Sequence, residues 1–223
     1  MDQEYLPFMM PALPDIETVG LNCGGEVFAS KHSRHVFSLL KRDQYPRLKF
    51  WLISNGLLLN ERAFRDFDLY GRVREIQISM DAARPETYGM VRRGGDFQRL
   101  LSNLEFLDDL RSSKGENFRL QLRFVVSSIN FREMAEFVRL GRRLRVDSIV
   151  FSTLKNWAHL SLAEFEKLNI ANPSHPDHEE FLRILESEEL SDPIVECGNV
   201  TPYRRSQIQP KRHAETGLDC QVS

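Results

Sequence analysis

The sequence predicts an α/β fold, a partial (β/α) barrel of about five parallel strands with a helical C-terminal extension. Three observations carry that expectation. From about Pro14 to Trp157, short β-rich runs alternate with longer helical patterns, the order that parallel strands joined by helical crossovers produce. Two middle runs alternate apolar and polar residues, as strands do when one face packs on helices and the other faces a wet interior. Every run ends in small or hydrogen-bonding residues, at the strand ends where parallel α/β folds bind ligands.

The strand runs are IETVGLN (16–22), LKFWLISN (48–55), VREIQISMD (73–81), FRLQLRFVV (118–126) and DSIVFSTL (147–154). β-Branched and other large apolar residues dominate each, and Gly, Asp, Asn or Ser bounds it. In the third, Val73, Ile76, Ile78 and Met80 stand apart from Gln77, Ser79 and Asp81. In the fourth, Phe118, Leu120, Leu122, Phe124 and Val126 alternate with Arg119, Gln121 and Arg123. Ser30 can cap a helix whose face is Val36, Leu39 and Leu40. Phe97, Leu100, Leu101, Leu104, Leu107 and Leu110 keep helical spacing, as do Met134, Phe137, Leu140 and Leu144. After Trp157 come an amphipathic segment (LSLAEFEKLNI), a turn-rich linker (NPSHPDH) and a helix with Phe181, Leu182 and Leu185 on one side. The expected organisation is a barrel over 1–157, an extension over 158–202 and a disordered tail over 203–223, where apolar residues are nearly absent.

Composition excludes several classes. The 223 residues are 41% hydrophobic and 28% charged, which places the chain among globular proteins. Thirty basic and thirty-two acidic residues give a net charge of −2, so nothing demands nucleic acid or an anionic membrane. No apolar run reaches membrane-span length and no basic segment precedes an apolar one at the start, so the expected compartment is the cytoplasm. Cys23, Cys197 and Cys220 are odd in number and widely scattered, which fits neither a disulfide framework nor a metal-ligand spacing. His32 and His35 read as surface positions on one helix, and His175 and His178 as linker and helix-start residues. Lys41-Arg42 and Arg142-Arg143 read as solvated helix faces.

The strand ends hold the candidate chemistry. Gly24 and Gly25 would let a ligand approach the backbone, and Glu26 could accept hydrogen bonds from a cationic amine. Ser54-Asn55, Ser79 with Asp81, and Ser127-Ser128 with Asn130 close the next three strands. Trp157 could stack on an adenine or pack as a rim residue.

Taken together, GGEVFASKHSR, the Ser-Asn-Gly at 54–56, ISMDAARPETYGMVRRGGDFQRLLSNLEFL and DSIVFSTLKNW resemble the radical S-adenosylmethionine enzymes, particularly those with a SPASM-type C-terminal extension. The resemblance covers roughly Leu13 to Pro202. It is most specific from Ser79 to Leu107, where Ser79 and Asp81 are followed by Thr87-Tyr88, Arg93-Gly94-Gly95 and an apolar helix. It implies S-adenosylmethionine at the strand ends, with Gly25 and Glu26 at its amino group. Ser54 and Asn55 would form the polar end of the next strand, Ser79 and Asp81 would lie on the ribose or carboxylate side, and Arg123 would pair with the carboxylate. Cys23 and Val27 stand where relatives often have Gly and Pro, so Val27 is expected to loosen that turn.

The resemblance also implies a 4Fe–4S cluster on Cys-x3-Cys-x2-Cys, because thiolates are its required ligands. That spacing does not occur here. LPFMMPALP resembles the end of the family's first helix and IETVGLN its second strand, so the expectation is a barrel lacking its first strand and cluster loop. Three readings stay open: a truncated or split enzyme inactive alone, a non-catalytic S-adenosylmethionine- or peptide-binding partner, or a poorly folded fragment that self-associates through an unpaired edge. The substrate, peptide or small molecule, is not specified.

Overall fold

The computed structural model describes residues 15–21, 25–156 and 160–204. Cys23, Gly24, Trp157, Cys220 and the LPFMMPALP stretch lie outside them. Six parallel strands form one sheet in sequence order: β1 (Thr18–Leu21), β2 (Lys49–Ser54), β3 (Val73–Ser79), β4 (Arg119–Val126), β5 (Ser148–Thr153) and β6 (Val195–Glu196). The first five match the expected runs to within two residues. The sixth was not expected. It is a two-residue strand that the C-terminal extension lays against β5, pairing Ile149 with Val195 and Val150 with Glu196.

Among the described residues seven α-helices accompany the sheet: α1 (Lys31–Leu39), α2 (Glu61–Asp66), α3 (Pro85–Val91), α4 (Phe97–Ser112), α5 (Met134–Arg143), α6 (Leu162–Leu168) and α7 (His178–Leu185). Among the described residues no helix is long and apolar enough to cross a membrane. Ser30 caps α1 as expected, accepting the Ser33 N–H. The buried line of α1 differs: Ser33, Phe37 and Leu40 are buried, while Val36 and Leu39 are half-buried. Phe37 takes the central place because its ring meets Phe50 at 5.0 Å and Phe67 at 4.9 Å. Along α4 the expected apolar line is buried except for Leu101, which is half-buried, with one polar addition, Asn103, whose amide donates to the Gly56 carbonyl at 2.7 Å. α6 carries a capping box from Ser161 and Glu164 but buries none of its residues, and Leu162 is 77% exposed.

The two faces of the sheet follow the period-two alternation. Phe50, Leu52, Ile76, Ile78, Leu120, Leu122, Phe124, Ile149 and Phe151 are fully buried under the helices. Phe124 meets Phe137 at 4.8 Å and Phe151 at 5.3 Å. On the other face polar side chains bond along and across strands. Gln77 donates to Glu75 at 2.7 Å and accepts from Arg123 at 3.0 Å; Gln121 and Arg119 both reach Ser148, at 2.9 and 3.0 Å. Gln77 and Gln121 are buried, so this interior face meets its hydrogen-bonding needs largely within itself.

The extension is clasped to the barrel by charge. Arg132 Nε donates to Glu180 at 2.8 Å, Arg139 pairs with Glu189, and Arg142 Nε donates to Asp192 at 2.7 Å. The Arg142 contact holds the Asp192 carboxyl below its ordinary range. A lowered folded-state value means this contribution is present above the unfolded aspartate range, about pH 4, and is lost as pH falls. Tyr203 and Arg204, expected to open a tail, belong to this packed region. Tyr203 meets Phe181 at 6.1 Å, and buried Arg204 donates to the Leu190 carbonyl at 3.0 Å. The rest of the expected tail lies outside the described residues.

Candidate functional site

The carboxyl ends of β1, β2 and β3 bring most of the candidate residues into two hydrogen-bonded groups on neighbouring strands. The first centres on Glu26. Its Oε1 accepts the Ser54 hydroxyl at 2.7 Å and the Phe28 N–H at 3.4 Å, and its Oε2 accepts the Asn55 N–H at 2.8 Å. The loop after β1 is thereby tied to the end of β2. Ser54 Oγ in turn accepts the Gly56 N–H at 2.9 Å, and Asn55 Oδ1 accepts the Leu57 N–H at 3.0 Å. Gly56 sits at φ +78° with Leu100 and Ile78 pressed against it, so only glycine fits there. A carboxylate offers about four acceptor positions. Described residues use three, and the one they leave lies on Oε2 of a half-buried group. Gly25, beside it, is exposed.

Val27 does not loosen this turn. It is fully buried, and the Glu26 carbonyl accepts N–H groups from Ala29 at 3.1 Å and Ser30 at 3.0 Å. Packing and two backbone bonds supply the restraint that a proline ring would give.

The second group centres on Asp81, which is buried at φ +62°. Asp81 Oδ1 accepts the Val125 N–H at 2.7 Å and Oδ2 pairs with Arg92. Asn130 locks the unusual backbone: its amide donates to the carbonyls of Asp81 and Val125, both at 2.9 Å, while its oxygen accepts the Ser127 N–H at 2.8 Å. Burial pushes the Asp81 carboxyl up, against the pull of Arg92, the Val125 N–H and Arg123. Arg123 directs its guanidinium to Gln77 rather than to Asp81. Ser79 ends β3 opposite Arg123 in register and is half-buried.

Two residues of this group, Arg92 and Glu133, escaped the sequence reading. Arg92 lies in the Arg-Arg-Gly-Gly run, and the doubled arginine was its signal. Gly95 explains the glycines: a Cβ there would come 2.6 Å from the buried Tyr88 ring. Glu133 accepts the Thr87 hydroxyl and the Ala83 N–H, the latter at 2.7 Å, and so fixes the entry to α3. Asn130 was visible as a polar strand-end residue, but nothing local marks it as a backbone lock.

The described residues do not fit a 4Fe–4S cluster. Among the described residues no group of three or more His, Cys, Asp or Glu side chains could hold a metal ion. Cys197, half-buried, lies 3.5 Å from Arg204 Nη1. His178 opens α7 buried, bonded through Nδ1 to the Ile170 carbonyl at 2.8 Å, and His32 and His35 are exposed on α1.

No protein-family model matches the chain, and no curated protein does. Solved structures do. SuiB of Streptococcus suis superposes with a TM-score of 0.57 at 11% identity, over 89% of this chain and 44% of SuiB. SuiB bound to its precursor peptide SuiA gives 0.53 at 11% identity, over 83% and 40%. TYW1 with a lysine-pyruvate adduct gives 0.46 at 20% identity, over 82% and 55%. The chain spans about half the length of these proteins or less. At such identities the likeness is one of fold: an unclosed, all-parallel α/β barrel sheet shared with SuiB.

Proposed function

We propose that this chain is an S-adenosylmethionine-holding barrel of the radical S-adenosylmethionine type, and that it runs no radical reaction alone. The observation that carries the reading is Glu26, a half-buried carboxylate fixed by Ser54 and Asn55 with an acceptor position that the described residues leave open at the sheet's carboxyl edge. An ammonium group would complete it. Among the described residues Arg123 donates one side-chain hydrogen bond, to Gln77 at 3.0 Å, and its guanidinium suits the cofactor carboxylate. Ser79 and Asp81 then flank the ribose side. The fold shared with SuiB supports the same reading. The cysteine pattern favours a non-catalytic holder, or a portion of a larger assembly, over a self-sufficient enzyme.

Calorimetric titration with S-adenosylmethionine tests it. Wild-type chain should bind, and Glu26→Gln, which keeps the shape but loses the charge, should bind about tenfold or more weakly, since a hydrogen bond to a charged group contributes roughly 1.5–3 kcal/mol. Absence of binding by the wild type, or equal binding by Glu26→Gln, would overturn the assignment. Anaerobic reconstitution of the same protein should leave no stoichiometric iron and sulfide bound, and their retention would overturn the non-catalytic reading.

A further inference from the structure

The helix-covered side of the sheet carries a groove between α1 and α2. It has a volume of about 1110 Å³, and its floor is Phe28, Phe37, Leu58 and Phe67. Leu58 and Phe67 are half-buried, so part of that floor is open. Six cationic side chains and three carboxylates line the groove. Asp68 takes Arg42 at 2.8 Å and Arg72 at 3.2 Å, and Asp66 takes Arg62 at 3.1 Å. Asp43 is then the one lining carboxylate left beside Arg34, Lys41 and Arg99, and none of these three cations forms an ion pair among the described residues. Arg34 donates to the Phe28 carbonyl, a neutral partner, at 3.2 Å. Just outside the lining, Asp96 and Glu116 each accept a backbone N–H, from Arg99 at 3.0 Å and from Gly71 at 2.8 Å. The groove thus sets surplus positive charge around an apolar floor.

Helix α6 is its complement. Its last turn is fixed, because the Leu168 carbonyl accepts the Ser128 N–H and the Lys167 carbonyl accepts the Ser128 hydroxyl, both at 2.9 Å. Yet none of its residues is buried. Leu162 is exposed, Phe165 and Leu168 are half-buried, and the three-residue spacing puts them on one side of the helix. Glu166, four residues after Leu162, shares that side, exposed and in no ion pair among the described residues. A helix capped at one end and tied at the other, but uncovered, is pre-organised for a partner. At about 1.5 Å per residue, the seven residues of α6 span about 10 Å and the nine of α1 about 13 Å, so the helix fits the length of the groove. No residue of α6 lines the groove of its own chain, and the bonds to Ser128 hold α6 at the loop after β4. A second copy brings the two together.

We propose that α6 of one copy packs between α1 and α2 of a second copy of this chain. Leu162 and Phe165 rest on Leu58 and Phe67, and Glu166 lies among Arg34, Lys41 and Arg99. The two patches differ, so each copy offers one helix and one groove, and the contact is heterologous. This surface is separate from the outer edge of β1, and the inference stands without the cofactor reading.

Sedimentation velocity of the full chain over a range of concentrations tests this with two variants. One is Leu162→Glu, on the helix; the other combines Lys41→Glu with Arg99→Glu, on the groove. All three side chains are exposed, so both variants keep the fold. Wild type should associate as concentration rises, and each variant alone should associate about tenfold or more weakly, since each sets like charges or a lone carboxylate into the contact. An equimolar mixture of the two variants should recover association and stop at a dimer, because one supplies an intact groove and the other an intact helix. A wild type that stays monomeric overturns the proposal. Variants that associate like wild type overturn it in favour of another surface, such as the edge of β1. A mixture that stays monomeric overturns the pairing of helix with groove.

Discussion

Replacing Asp81 with alanine is expected to cost about 3 kcal/mol of folding stability, the scale for removing one member of a largely buried ion pair. Three losses combine. The Val125 N–H loses its acceptor, the Arg92 guanidinium loses its counter-charge, and a non-glycine residue without a hydrogen-bonding side chain must hold φ +62°. Arg92 Nε is already buried without a partner, so the site has no spare acceptor to offer. Asp81→Asn should lose about half as much. Asparagine tolerates the left-handed region and can still accept from Val125, and it escapes the burial penalty that pushes the aspartate carboxyl up. Urea unfolding of the two variants checks the order. Equal losses would show that the charge pair dominates and the backbone conformation matters little.

Gly56→Ala should be as damaging although it touches no charge. The left-handed backbone costs an alanine about 1–2 kcal/mol. The new methyl would also lie 2.5 Å from Leu100 Cδ1, an overpacking of about 1–3 kcal/mol. A total of roughly 2–5 kcal/mol is expected. Gly56 follows Ser54 and Asn55 directly, so the same strain would pull both from Glu26, and the proposed S-adenosylmethionine binding should weaken with stability. Gly89→Ala is the control. It lies in α3 with nothing within 4 Å of an added Cβ, and unfolding should show it neutral or stabilised by up to about 1 kcal/mol.

The strands were legible because burial on one face and polarity on the other wrote a period of two into VREIQIS and RLQLRFVV. α4 and α5 were legible for the parallel reason, a long apolar line at helical spacing. What escaped was set by contacts distant in sequence. Phe37 is central in α1 because of Phe50 and Phe67, not because of its own helix's pattern. α2 and α3 have six and seven residues, too few for a periodic signal. β6 has two residues, and only β5 beside it makes it a strand. At the site, the sequence named Glu26, Ser54, Asn55 and Asp81 because polar strand ends are conspicuous. It did not reveal that the first three bond to one another, nor that Asn130 and Arg92 hold the fourth. Those are relations between loops, and a single chain read in order does not display them.

The arginine clasp has a practical consequence for anyone dissecting this protein. Arg132, Arg139 and Arg142 project from one side of the barrel, and their acidic partners Glu180, Glu189 and Asp192 all lie beyond residue 160. Expressing the barrel alone would strip those carboxylates away and leave a strip of bare guanidinium groups on an otherwise near-neutral surface. Such a strip attracts heparin, RNA and phosphocellulose without regard to sequence. Affinity of a shortened barrel for polyanions would therefore report the cut, and the native surface should be judged with the extension in place.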